Sequence, residues 1–156
     1  MGVLGIWHTS FTVSDLEASL GFYCGLLGME LVHRQTQQNE YTSKLVGFED
    51  AHLEVAMLRV PDMDAGPSGH HLELVQYLNP LGDPIKVRNN QPGAPHLAFV
   101  VQDIHSLFDL LTSNGVKFRS DQPIEIMAGR NKGGYTIYFS DPDGITLELV
   151  QPPQSQ

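Results

Sequence analysis

Two imidazoles and two carboxylates, His8, Glu73, His96 and Glu148, have the residue types and the spacing of a metal site. They occur in matched settings. His8-Thr-Ser-Phe-Thr-Val-Ser-Asp15-Leu16 aligns without a gap on His96-Leu-Ala-Phe-Val-Val-Gln-Asp103-Ile104, and Leu-Glu-Leu-Val-Gln occurs at 72–76 and again at 147–151. Each copy of this internal repeat therefore carries a His near its start and a Glu near its end. A repeat of this kind marks one supersecondary unit used twice. Such a donor set suits one divalent cation (Zn, Ni, Co, Mn or Fe) and leaves coordination positions for water or substrate. A cation held this way polarises adjacent substrate oxygens, and a carboxylate beside it can carry a proton. The catalytic candidates are Glu148 and Glu73, each able to serve as ligand and base, and Glu54.

The elements around these residues read as strand, helix, then further strands in each copy. Residues 5–13 and 95–101 are rich in β-branched and aromatic residues with partial alternation, which predicts half-buried strands. A helix follows the first, with Ser14 and Glu17 as a capping box, an apolar stripe of Leu16, Leu20, Tyr23 and Leu27, and Gly28 as its stop. In the second copy Asp103 caps, Ile104, Leu107, Phe108 and Leu111 form the stripe, and Gly115 ends the helix. Strands are expected at 51–60, 70–78, 134–140 and 145–151, the last two joined by an Asp141-Pro-Asp-Gly144 turn. Short strands near 29–34, and near 116–119 or 124–127, complete two βαβββ units.

Side chains alternate between the faces of a strand, so residues of equal parity share a face. Trp7, Thr9, Phe11 and Val13 are expected against the helix, with His8, Ser10 and Thr12 on the other side. Leu97, Phe99 and Val101 separate in the same way from His96, Ala98 and Val100. With the leucines of Leu-Glu-Leu-Val-Gln on the helix, Glu73 and Glu148 face a polar concavity. The same reasoning puts Leu53, Val55 and Met57 in the core and Glu54 in that concavity, and gives Tyr77, Thr136 and Tyr138 the parity of pocket residues. His71 shares the face of Glu73, and His70 flanks it. The glycine-rich, locally basic stretch 127–134, with Arg130 and Lys132, reads as a solvated loop or a lid for an anionic group. Cys24 beside the first helical stripe reads as a packed residue.

The chain has 156 residues, 41% hydrophobic and 17% charged, a foldable composition. Its net charge of -9 argues against nucleic acid or an anionic membrane as partner. With Cys24 alone, no intrachain disulfide can form, which fits a reducing compartment. Residues 1–13 lack a basic start and a long apolar run, so neither signal peptide nor membrane span is expected, and a cytoplasmic location follows. The organisation expected is a single domain over 1–156, with modules at about 3–78 and 95–152 and a Pro-, Gly- and Asn-rich linker at 79–94. The first copy is the longer, and its extra residues are expected in loops at 35–50 or 61–69.

The sequence resembles the vicinal oxygen chelate superfamily, which includes glyoxalase I, methylmalonyl-CoA epimerase, extradiol dioxygenases and fosfomycin and bleomycin resistance proteins. The matching residues are the His8–Leu16 stretch, Phe22-Tyr23 with Leu27-Gly28, Pro95-His96-Leu-Ala-Phe, and Tyr138-Phe-Ser-Asp-Pro-Asp-Gly-Ile-Thr-Leu-Glu148-Leu. The likeness runs from about Val3 to Pro152. It implies an α+β fold of two tandem βαβββ modules forming a curved, barrel-like mixed sheet around a metal held at the positions of His8, Glu73, His96 and Glu148. It also implies a small-molecule substrate and a homodimer. The His/Glu/His/Glu set resembles glyoxalase I and is close to the epimerase, which implies a lyase or isomerase working through a metal-stabilised enediolate. An extradiol dioxygenase or fosfomycin-modifying enzyme is one alternative, and a non-catalytic binding protein of the bleomycin type is another.

Overall fold

Strands form where β-branched and aromatic runs can bury a face, and helices where an apolar stripe recurs every three or four residues. The protein, seen in a computed structural model that describes residues 2–63 and 70–154, strings these elements in a repeated order. The first unit, residues 1–84, contains β1 (His8–Thr12), α1 (Leu16–Leu20) continued by a π-helical turn (Gly21–Leu26), β2 (Glu30–Gln37), α2 (Glu40–Val46), β3 (His52–Arg59) and β4 (His71–Asn79). The second, residues 85–156, contains β5 (Leu97–Val100), α3 (Ile104–Ser113), β6 (Ile124–Glu125), β7 (Tyr135–Ser140) and β8 (Thr146–Gln151). The class is α+β. The sheet orders are β1-β4-β3-β2 and β5-β8-β7-β6, in each case with the first pair parallel and the others antiparallel. Neither four-stranded sheet closes on itself. Among the described residues no helix is long and apolar enough to cross a membrane.

Each unit has its own core between one sheet face and its helix. Phe11, Ala56, Leu58, Leu72 and Leu74 are buried with Leu16 and Tyr23 in the first. Ile137, Phe139, Leu147 and Leu149 are buried with Ile104 and Leu111 in the second. The repeated Gln at the end of Leu-Glu-Leu-Val-Gln joins strand to helix. Gln76 Oε1 accepts from the Leu16 backbone N–H at 3.0 Å, and its Nε2 donates to the Ser14 carbonyl at 3.0 Å. Gln151 Oε1 accepts from the Ile104 N–H at 2.8 Å. The first N–H groups of a helix lack partners within it, so these amides complete the helix starts.

Several local expectations are corrected. Asp15, not Ser14, caps α1, accepting from the Ala18 N–H at 3.0 Å, and Glu17 accepts from Arg34 across the surface. The helix widens after Leu20, with the Leu27 N–H donating to the Phe22 carbonyl, and both Phe22 and Tyr23 are buried. β1 begins at His8, and Trp7, expected against the helix, is 61% exposed. Thr9 is exposed as well, because the buried residues of β1 and its continuation begin at Phe11. β2 is longer than expected, running to Gln37, and the stretch 35–50 read as a loop also holds α2, Glu40–Val46. In the alternative loop at 61–69, residues 64–69 lie outside the described residues. Both proposed positions for the short strand of the second copy pair with β7: Phe118 bridges Phe139, and Ile124 and Glu125 form β6.

The parity of β3 is also reversed. Ala56 and Leu58 stand opposite Leu74 and Leu72, on the helix face, and Glu54 stands opposite Gln76 on that face. Leu53 and Val55 are buried on the other face. A central strand buried on both sides loses the alternation that tells its faces apart.

Candidate functional site

Burial of Leu72 and Leu74 against the helix turns Glu73 to the opposite face of the first sheet, where its cross-strand neighbours are Ser10 and Met57. His8 has the parity of Ser10, so its ring lies on the same face. Its Nε2 is 3.5 Å from Glu73 Oε2, with the two side chains 33% and 20% exposed. The second unit repeats this. Leu147 and Leu149 are buried, Glu148 emerges between Ala98 and Tyr138, and His96, just before β5, brings Nε2 to 3.4 Å from Glu148 Oε2.

These separations discriminate between two chemistries. A charge-assisted N–H···O bond is about 2.7–2.9 Å long, clearly shorter than either gap. Two donors bound about 2.0–2.2 Å from one cation stand roughly 3.0–3.5 Å apart, as the edge of its coordination polyhedron. His–Glu pairs at 3.5 and 3.4 Å have that spacing. His8 Nδ1 is buried without a hydrogen-bond partner, so Nε2 is the nitrogen of this ring that meets a polar neighbour. The chemistry of each pair, one imidazole and one carboxylate, thus fits ligation of a divalent metal. Among the described residues no group of three or more His, Cys, Asp or Glu gathers, and each unit presents a pair.

The two carboxylates have different surroundings. Thr136 Oγ1 donates to Glu148 Oε1 at 2.5 Å. The Tyr138 hydroxyl bonds the same carboxylate, and its ring meets His96 edge-on at 5.5 Å. Desolvation, then the charge of Glu148 and the bond to it, push the Tyr138 phenol above its usual range. The register counterparts of Thr136 and Tyr138 in the first unit are Val55 and Met57.

Glu54 is not brought to the His8–Glu73 pair of its own unit. It lies on the helix face of its sheet, where it accepts from Thr36 Oγ1 at 2.5 Å and stands 3.5 Å from Arg34 Nε. Tyr77 shares the face of Glu73 through its pairing with Leu53, and its ring packs edge-on against Phe48 at 6.0 Å. Thr136 and Tyr138 share the face of Glu148. His71 stands opposite His8 and 6.2 Å from Trp7, while His70 is exposed. The stretch 127–134 lies in the connection from β6 to β7, with Gly129 and Gly133 at positive φ. Burial raises the Cys24 thiol above its usual value, which disfavours a thiolate nucleophile. A cavity of about 670 Å³ near Asn39, Glu49, Asp50 and His52 includes neither His–Glu pair. Sequence reasoning had no role for Gln76 and Gln151. Their recurrence at one place in both copies was the available signal.

Comparison with known proteins agrees with this architecture. The family model described as the Glyoxalase/Bleomycin resistance protein/Dioxygenase superfamily matches residues 5–149. The chain is 32% identical to a 2-epi-5-epi-valiolone epimerase of Actinomyces sp, over 97% of this chain and 81% of that one. It is 30% identical to a probable lactoylglutathione lyase of Synechocystis sp., over 92% of each chain. A crystal structure of a glyoxalase family protein from Bacillus cereus superposes with a TM-score of 0.82 at 21% identity, covering 98% of this chain and 97% of the other. Two tandem βαβββ units, a His–Glu pair in each, and a match over nearly the whole chain place this protein in the Glyoxalase/Bleomycin resistance protein/Dioxygenase superfamily.

Proposed function

We propose that His8, Glu73, His96 and Glu148 together hold one divalent metal ion, and that the protein is a metal-dependent lyase, isomerase or epimerase of the glyoxalase type. The observation that carries this reading is the duplicated His Nε2–Glu Oε2 spacing of 3.5 and 3.4 Å, too long for a charge-assisted bond and suited to two ligands on one cation. The printed activities of the relatives, a lyase and an epimerase, support the same class.

Bound there, the cation supplies Lewis-acid stabilisation of negative charge on adjacent oxygens of a small substrate. The protein's own part is proton transfer. One of the two carboxylates, Glu73 or Glu148, takes a proton from the carbon beside a carbonyl and returns it to the neighbouring carbon or to the other face of the same carbon. Glu54, engaged with Arg34 and Thr36 on the helix side, has no part in this step. The paired donors meet within one chain or across a homodimer, and either arrangement uses one cation for each set of four.

Metal analysis tests the reading. Purified protein stripped with chelator and reloaded should hold one cation per four donors, and Glu73→Gln and Glu148→Gln should each lose or weaken it. Loaded protein should exchange a substrate C–H next to a carbonyl with deuterium from solvent. A stoichiometry untouched by either substitution sinks the ligand assignment, and oxygen uptake by iron-loaded protein would turn the reading toward a dioxygenase.

A further inference from the structure

Glu73 and Glu148 occupy equivalent places in the repeat, yet only one is braced by neighbouring side chains. Thr136 Oγ1 holds Glu148 Oε1 at 2.5 Å, on the carboxylate oxygen away from the 3.4 Å approach of Oε2 to His96 Nε2. At the matching position of the first unit stands Val55, which has no hydroxyl, and among the described residues the polar contact of Glu73 is His8.

We infer that Thr136 is a positioning residue for the metal site: its hydroxyl fixes the Glu148 carboxylate so that one oxygen alone is presented beside His96. The inference rests on the reading that these donors hold a cation. A free carboxylate rotates about its terminal bond and can offer one oxygen or both. A donor seated on the outer oxygen selects a single orientation before metal arrives, so less freedom is lost on binding, and partners of this kind orient metal ligands generally. The His96–Glu148 pair is then the more rigid of the two. The pair of Glu73 and His8, next to Val55 and Met57, is the more adaptable.

Cobalt(II) titration of the chelator-stripped full chain by calorimetry tests this. T136V keeps the shape and strand preference of threonine and should bind cobalt about tenfold to a hundredfold more weakly than the parent. T136S, which restores the hydroxyl without the methyl, should bind close to the parent. The thermal midpoints of both variants without metal show whether each is folded. Unchanged cobalt affinity in T136V overturns the inference, as does equal weakening in T136S, which would assign the effect to the methyl group. A parent that binds no cobalt overturns the proposed metal site and this inference together, whereas a binding parent with an indifferent T136V overturns this inference alone.

Discussion

Replacing Gln76 and Gln151 by methionine measures what joins each helix to its sheet. Methionine keeps the length and apolar stem of glutamine and removes the amide. In Gln76→Met the Leu16 N–H loses its 3.0 Å acceptor and the Ser14 carbonyl loses its 3.0 Å donor. In Gln151→Met the Ile104 N–H loses its 2.8 Å acceptor. A hydrogen bond contributes roughly 0.5–1.5 kcal/mol net, and more when its loss strands a buried group. Both glutamines are half-buried, so water reaches part of each vacated position, no fully stranded group is left and the middle of that range applies. The expected loss is about 2 kcal/mol for Gln76→Met and about 1 kcal/mol for Gln151→Met. For a chain of this size that is a fall in Tm of about 4–8 °C and about 2–4 °C. Urea unfolding followed by far-ultraviolet circular dichroism gives the free energies directly, provided the slope with denaturant is unchanged. If Gln151→Met proves the more harmful, or neither variant shifts the midpoint, the account of these residues as helix-start partners is wrong.

Further outcomes follow from individual contacts. A Cβ on Gly134 would sit 2.2 Å from the Gln151 carbonyl oxygen, so Gly134→Ala should lose about 2–3 kcal/mol of stability in the same urea assay, and a neutral result would contradict the tight approach of these backbones. Hydrogen bonds from Ser106 hold the Asp103 carboxylate below its usual range, so the stability it adds is present above the ordinary carboxylate value and lost as pH falls through its lowered one. Asp103→Asn should therefore be less stable than the parent at neutral pH, with the gap closing in acid; a gap that widens in acid refutes this. Tyr138 is held protonated by desolvation and then by Glu148, so in metal-free protein its phenol should ionise in a late phase, above the ordinary tyrosine value, when ionisation is followed by ultraviolet absorbance. Its contribution to stability is complete below the ordinary tyrosine value and disappears as pH rises through the raised one. Loss of an early phase instead of the late one in Tyr138→Phe would count against that assignment.

Much of the architecture was legible in the residues because two signals are local. The repeated His-to-Asp stretch and the repeated Leu-Glu-Leu-Val-Gln exposed the duplication, and the two leucines flanking each Glu determined which way Glu73 and Glu148 must turn. Asp103 and Gly115 marked the ends of α3, because a cap and a left-handed stop depend on a few neighbouring atoms. Glu54 shows where local reading failed. Leu53, Val55, Ala56 and Leu58 are all buried, so β3 carries no pattern that says which face meets the helix. Only the register against β4 decides it, and that register turns Glu54 toward Arg34 and away from Glu73.

The sequence by itself determined the duplicated βαβββ unit and singled out one His and one Glu in each copy, because periodicity and repetition need no partner to be read. Tertiary structure decided that His8 lies beside Glu73 and His96 beside Glu148, residues far apart in the chain that meet through parallel strand pairing. It also decided that Thr136 braces one carboxylate while Val55 stands at the matching place beside the other. A contact between strands depends on register, and register is a property of the assembled sheet, not of either strand alone.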